Sequence, residues 1–123
     1  ARWRRLRRTV LDAGDHPSDD ALHQIRIRAK RCRYAAEAAG PVFGEPAKGL
    51  ARAVAGLQDV LGEQHDAVVA ESWLRRAAIS ARRDEAFVSG QLVVIERARA
   101  AASRERWRVL WAAASSRRLR SWL

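Results

Sequence analysis

The chain has 123 residues, enough for one domain with a modest core. Its 24 Lys and Arg against 14 Asp and Glu leave a net charge of +10, which points to a polyanion as partner: nucleic acid, polyphosphate or an anionic membrane surface. The lone Cys32 excludes an internal disulfide, no apolar run reaches membrane-spanning length, and no secretory leader pattern is present, so a reduced cytoplasm is the expected compartment.

The hydrophobic period is helical nearly everywhere. A first helix is expected from about Arg2 to Ala13, with Trp3, Leu6 and Val10 as its apolar seam and Gly14 as its stop. Ser18 reads as the N-cap of a second helix, with Asp19 and Asp20 in the electropositive first turn. That helix is expected to end at Gly40-Pro41, and the stretch to Pro46 reads as the clearest loop. A third helix carries Leu50, Val54, Leu57 and Leu61 in one stripe and is expected to stop or kink at Gly62. A short helix from about Gln64 to Ala78 follows, using Ala70, Trp73 and Ala77, and a long one from about Asp84 to Ala114. No strand alternation, internal repeat or low-complexity linker interrupts this pattern. The expected fold is an all-α, antiparallel four-helix bundle spanning 1–123 as a single domain, with a long C-terminal helix. Ala1 opens directly into helical sequence without an initiator Met, so a fragment of a longer protein is expected.

The second helix carries the clearest functional pattern. His23, Arg26, Lys30, Arg33 and Tyr34, followed by Glu37, fall within about a third of the helix circumference. Leu22, Ile25, Ala29, Cys32 and Ala36 fill the adjoining arc, the stripe that a core requires. An ordinary wet face mixes charge signs, whereas this edge keeps one sign from Arg26 to Arg33 and presses it against the apolar boundary. All but two of the basic residues, Lys30 and Lys48, are arginine. Its fork of donors suits phosphate oxygens, although a GC-rich genome would favour arginine over lysine without any such cause.

Two further rows of cations are candidates for the same site: Arg4 and Arg8 on the first helix, and Arg97, Arg104 and Arg108 on the last. Antiparallel packing is expected to bring the three rows around one trough. A flexible polyphosphate has no bases to read, so a concave surface lined by cations from several helices is all that it needs. The duller reading of both outer rows is a solvated face. Likewise, His23 has the alternative of a satisfied boundary histidine and Tyr34 that of simple packing.

The segments "LHQIRIRAKRCRYAAE" (22–37) and "LQDVLGEQHDAVVA" (57–70) resemble the CHAD family, the conserved-histidine α-helical domains. His23, Arg26, Lys30, Arg33, Tyr34 and Glu37 match its first signature helix, and Gln58, Leu61, Gly62 and Asp66 its second. Members resemble two similar four-helix units around a basic cavity and bind inorganic polyphosphate. The resemblance therefore implies a non-catalytic polyphosphate-binding module, with localisation at polyphosphate granules as a corollary. It also implies phosphate contacts from His23, Arg26, Lys30 and Arg33, with Tyr34 at the rim. Glu37 is expected to orient an arginine, and Asp66 to cap the short helix or to anchor an arginine of the site. One copy of the signature helix is present where a full member has two, and the closing tryptophans suggest the C-terminal unit. A second such half, in cis or as a homodimer, is an expected partner.

Rival classes carry weaker signals. No Gly-rich phosphate loop, nucleophile elbow or paired-carboxylate motif supports an enzyme. His16, His23 and His65 read as scattered; His16, Asp19 and His23 are the one conceivable metal grouping, and Pro17 with the helix start argues against it, so no metal or cofactor is expected. A non-specific nucleic-acid binder or a scaffold module is the main alternative, since charge alone does not separate DNA, RNA and polyphosphate. No helix-turn-helix or RNA-recognition motif is evident.

Overall fold

The computed structural model describes all 123 residues and is entirely helical apart from short connections. Helix α1 spans Arg2–Ala13, α2 Asp19–Phe43, α3 Glu45–Ile79 and α4 Arg83–Ala114, and a final turn, α5, spans Arg117–Arg120. Trp3, Leu6 and Val10 of α1 are buried, as are Leu22, Ile25, Ala29, Cys32 and Ala36 of α2. Leu50, Val54, Leu57 and Leu61 of α3 meet them, and Trp107 and Ala114 of α4 complete the same cluster. Helix α3 is the spine, with α2 along one side and α4 along another, while α1 packs on α2 and α5 touches α3. Trp3 stacks on Trp111 with ring centroids 5.3 Å apart, which closes α1 onto α4 and completes the four-helix bundle.

Helix ends follow local chemistry. The Ser18 hydroxyl accepts from the Ala21 N–H at 3.1 Å, the N-cap expected for α2. Gly14 and Gly44 end α1 and α2 with φ of 71° and 69°, a region that L-residues with a Cβ avoid.

Two expected interruptions are absent. Helix α2 does not end at Gly40-Pro41 but continues to Phe43, so the supposed loop to Pro46 shrinks to Gly44. A proline normally forces its predecessor out of the α region by crowding its Cβ, and Gly40 has none. Pro46 then sits in the first turn of α3, where its missing N–H costs nothing. Helix α3 also runs straight through Gly62, so the expected third and short helices are one element of 35 residues. The penalty for a single mid-helix glycine, about 1 kcal/mol, is small beside the burial of Leu57, Val60, Leu61 and Ala67 around it.

Beyond Ala67 on α3 and before Ser103 on α4, the pair continues as an arm in which only Val93 is buried. Trp73 belongs to this arm and is 62% exposed, contrary to its expected place on an apolar seam. Phe87, Leu92 and Ile95 are exposed on the same arm. No helix is long and apolar enough to cross a membrane.

Candidate polyanion site in the α2–α3 groove

The candidate edge of α2 faces α3 in one antiparallel register. His23 stacks on His65, with ring centroids 4.0 Å apart and planes 18° from parallel. One turn along, the Arg26 guanidinium lies so close to Gly62 that a Cβ there would meet its Nε at 3.4 Å. At the far end a Cβ on Gly40 would meet the Lys48 stem at 3.5 Å, and Glu37 borders a hollow with Lys48, Ala51 and Arg52. His23, Arg26 and Glu37 thus face α3, and Lys30 and Arg33 stand between them on the same edge of α2.

Within this strip the cations differ in their partners. Arg33 Nε lies 3.3 Å from Glu37 Oε1, one turn on, in an ion pair without hydrogen-bond alignment. Its guanidinium sits 4.8 Å from the centre of the exposed Tyr34 ring, and Lys30 Nζ reaches the same ring at 5.9 Å. Arg26 and Lys30 have no carboxylate within ion-pairing distance. Arg26 Nε and His23 Nδ1 are buried without hydrogen-bond partners, an expensive condition unless another group supplies a partner. The hollow beside Arg26 is also lined by Gln58, Asp59, Glu63 and Asp66, so this end of the groove mixes signs.

Asp66 caps no helix, because none begins there: it lies in the middle of α3, exposed and free of ion pairs. Its carboxylate lines the Arg26 hollow without reaching the guanidinium.

The outer rows do not join this groove in one trough. Arg104 donates to the Pro17 carbonyl at 2.7 Å and to Asp19 Oδ1 at 2.8 Å, and Arg108 donates to the Gly14 and Asp15 carbonyls at 2.7 and 3.0 Å. These two side chains clamp the α1–α2 connection onto α4. Gln64, buried on α3, adds a 2.7 Å bond to the same Asp19 oxygen. Arg97 pairs with Glu71 at 2.6 Å, and with Arg75 it holds that carboxyl below the usual carboxylate range. Arg4 and Arg8 instead border a separate open hollow of about 610 Å³, together with Arg5, Arg7, Asp12 and Arg120. Arg120 lies 5.6 Å from the centre of the Trp3 ring.

His65, Arg5, Arg7 and Arg120 were not among the residues expected from sequence. His65 shares a face of α3 with Gln58 and Gly62, a pattern visible only when α3 is taken as continuous. His16, Asp19 and His23 do not gather, and no three His, Cys, Asp or Glu side chains group as metal ligands would. Cys32 is buried in the core, and burial pushes its thiol up to about 11, which leaves it a packing group.

Comparison with known proteins covers the stretch that holds both signature segments. Two relatives in Mycobacterium tuberculosis, the uncharacterized protein MT2285 of strain CDC 1551 / Oshkosh and the uncharacterized protein Rv2226 of strain ATCC 25618 / H37Rv, are each 37% identical over 101 residues. The match covers 75% of this chain and 18% of each relative, so the chain spans less than a fifth of the length of these curated proteins. No solved structure matches. Residues 1–75, which hold α1, α2 and most of α3 with both signature segments, match the CHAD domain, and the chain belongs to the CHAD family.

Proposed function

We propose that the α2–α3 groove binds inorganic polyphosphate without chemistry of its own. The observation that carries the reading is the pair Arg26 and Lys30: two cations on one helix edge, neither paired with a carboxylate, one of them with a buried donor left unsatisfied. A phosphate chain supplies the acceptors that these groups lack, and about one negative charge per unit. Arg33, steadied by Glu37 and Tyr34, extends the strip by another turn. His23 stands at its start. Membership of the CHAD family, which is associated with polyphosphate, supports the same ligand.

The hollow bordered by Arg4, Arg5, Arg7, Arg8 and Arg120 offers a second set of cations for a long polyanion. Arg97, Arg104 and Arg108 already have internal acceptors, so they contribute field more than contacts. Nucleic acid is disfavoured as the specific ligand because the one aromatic ring on the strip, Tyr34, already carries Arg33 and Lys30 on its face. Targeting to polyphosphate granules follows from the same reading.

The test is calorimetry with long-chain polyphosphate on Arg26→Ala and Lys30→Ala. Each charge-assisted contact contributes about 1.5–3 kcal/mol, so each variant should bind roughly tenfold or more weakly with unchanged helicity. Unaltered binding by both folded variants would remove the groove as the site.

A further inference from the structure

His65 belongs to neither signature pattern, yet it is the residue on which His23 stacks. Gly62, one turn before it, leaves the space that Arg26 occupies, so two imidazoles and a guanidinium are gathered within one turn of α2 and one of α3. We infer that His65, stacked on His23, is a further ligand-binding residue of the groove and makes capture of the phosphate chain tighten as pH falls. This inference rests on the polyphosphate reading above.

The geometry sets the sign. A positive charge on the His65 ring, stacked on His23 and near Arg26, is unfavourable, so without a ligand His65 favours its neutral form. Its own surroundings act in that direction: desolvation first, then His23 and Arg26, hold its proton affinity below the ordinary histidine value, with Asp66 opposing. The other charged groups nearby do not reverse this balance. Asp59 and Glu63 of α3 line the Arg26 hollow, and Glu63 is 3.8 Å from Arg106 of α4. Asp19 of α2 is taken by Gln64 and Arg104. His23 Nδ1 has no protein partner.

A bound phosphate chain inverts the local charge and favours the protonated ring. Raised affinity for the proton in the complex means proton uptake on binding. The additional affinity is therefore complete below the free-state value, which lies under 6.5, and is lost as pH rises through the higher value of the complex. A rise of one pH unit in that value corresponds to about tenfold in affinity.

The experiment is calorimetric titration with long-chain inorganic polyphosphate at about pH 5.5 and about pH 7.5, the range in which histidines titrate, in two buffers of different ionisation enthalpy. His65→Gln and His65→Phe are compared with the wild type; the phenylalanine keeps a stacked ring without a proton, and circular dichroism selects the folded variant. The expected result is proton uptake by the wild type and an affinity gain on acidification about tenfold larger than in either variant. Equal proton uptake and equal pH dependence in wild type and variants would overturn the role of His65 while leaving the polyphosphate site standing. Absence of wild-type binding at both pH values would overturn the parent reading and this one together.

Discussion

Gly62→Ala separates the stability of α3 from the use of its groove. Gly62 lies mid-helix with an ordinary helical φ, so alanine gains the full difference in helix propensity, about 0.8–1 kcal/mol. The added methyl meets one atom, Arg26 Nε at 3.4 Å, which belongs to a flexible side chain and not to backbone. A flexible side chain gives way at little cost, so little strain offsets the gain. For a chain of this size the melting temperature should rise by about 3–5 °C. The same methyl shifts the Arg26 guanidinium by up to a few tenths of an ångström from its place against α3, so polyphosphate affinity should fall severalfold although the protein is more stable. Thermal unfolding by circular dichroism reads the first effect, and calorimetry reads the second. A lowered melting temperature would refute the reasoning, since it would mean that α2 and α3 pack too closely at this point for any side chain. A raised melting temperature with unchanged affinity would show that Arg26 does not act from this position.

Arg104→Ala removes two charge-assisted bonds, to the Pro17 carbonyl and to Asp19, and should destabilise the fold by about 2–3 kcal/mol in urea denaturation. A loss below about 0.5 kcal/mol would mean that the clamp is replaced by water. The Cys32 thiol, pushed up to about 11 inside the core, should react with a thiol reagent at neutral pH only at the rate of unfolding. Rapid modification of the native protein would contradict its burial.

Much of this fold was legible because core spacing is a local signal. Every α2 residue assigned to the apolar arc is buried, as are the seams of α1 and of the first half of α3. The breaks were misread for a physical reason: Gly62 and Gly40-Pro41 carry breaker residues whose modest penalties are outweighed by burial on both sides. Trp73 was misread because a helical period shows which residues share a face, not whether a partner covers it. The signature edge of α2 was legible as a row of cations, whereas the fate of Arg104 and Arg108 was not. Their acceptors are backbone carbonyls and an aspartate more than 80 residues away, and nothing in the local pattern of α4 encodes them. His65 reads in the sequence as scattered from His23, yet the two rings stack, because its meaning depends on the residue across the groove.

The central claim is specific capture of polyphosphate by this chain. Its most direct test is calorimetric titration of the intact chain with long-chain polyphosphate near physiological salt, with a DNA oligonucleotide of equal charge as competitor. Both polyanions release counterions, so salt sensitivity alone does not separate them, but competition does. The account predicts tight polyphosphate binding that DNA fails to displace. Weak binding, shared equally with DNA, would contradict it and reduce the α2 edge to generic positive charge.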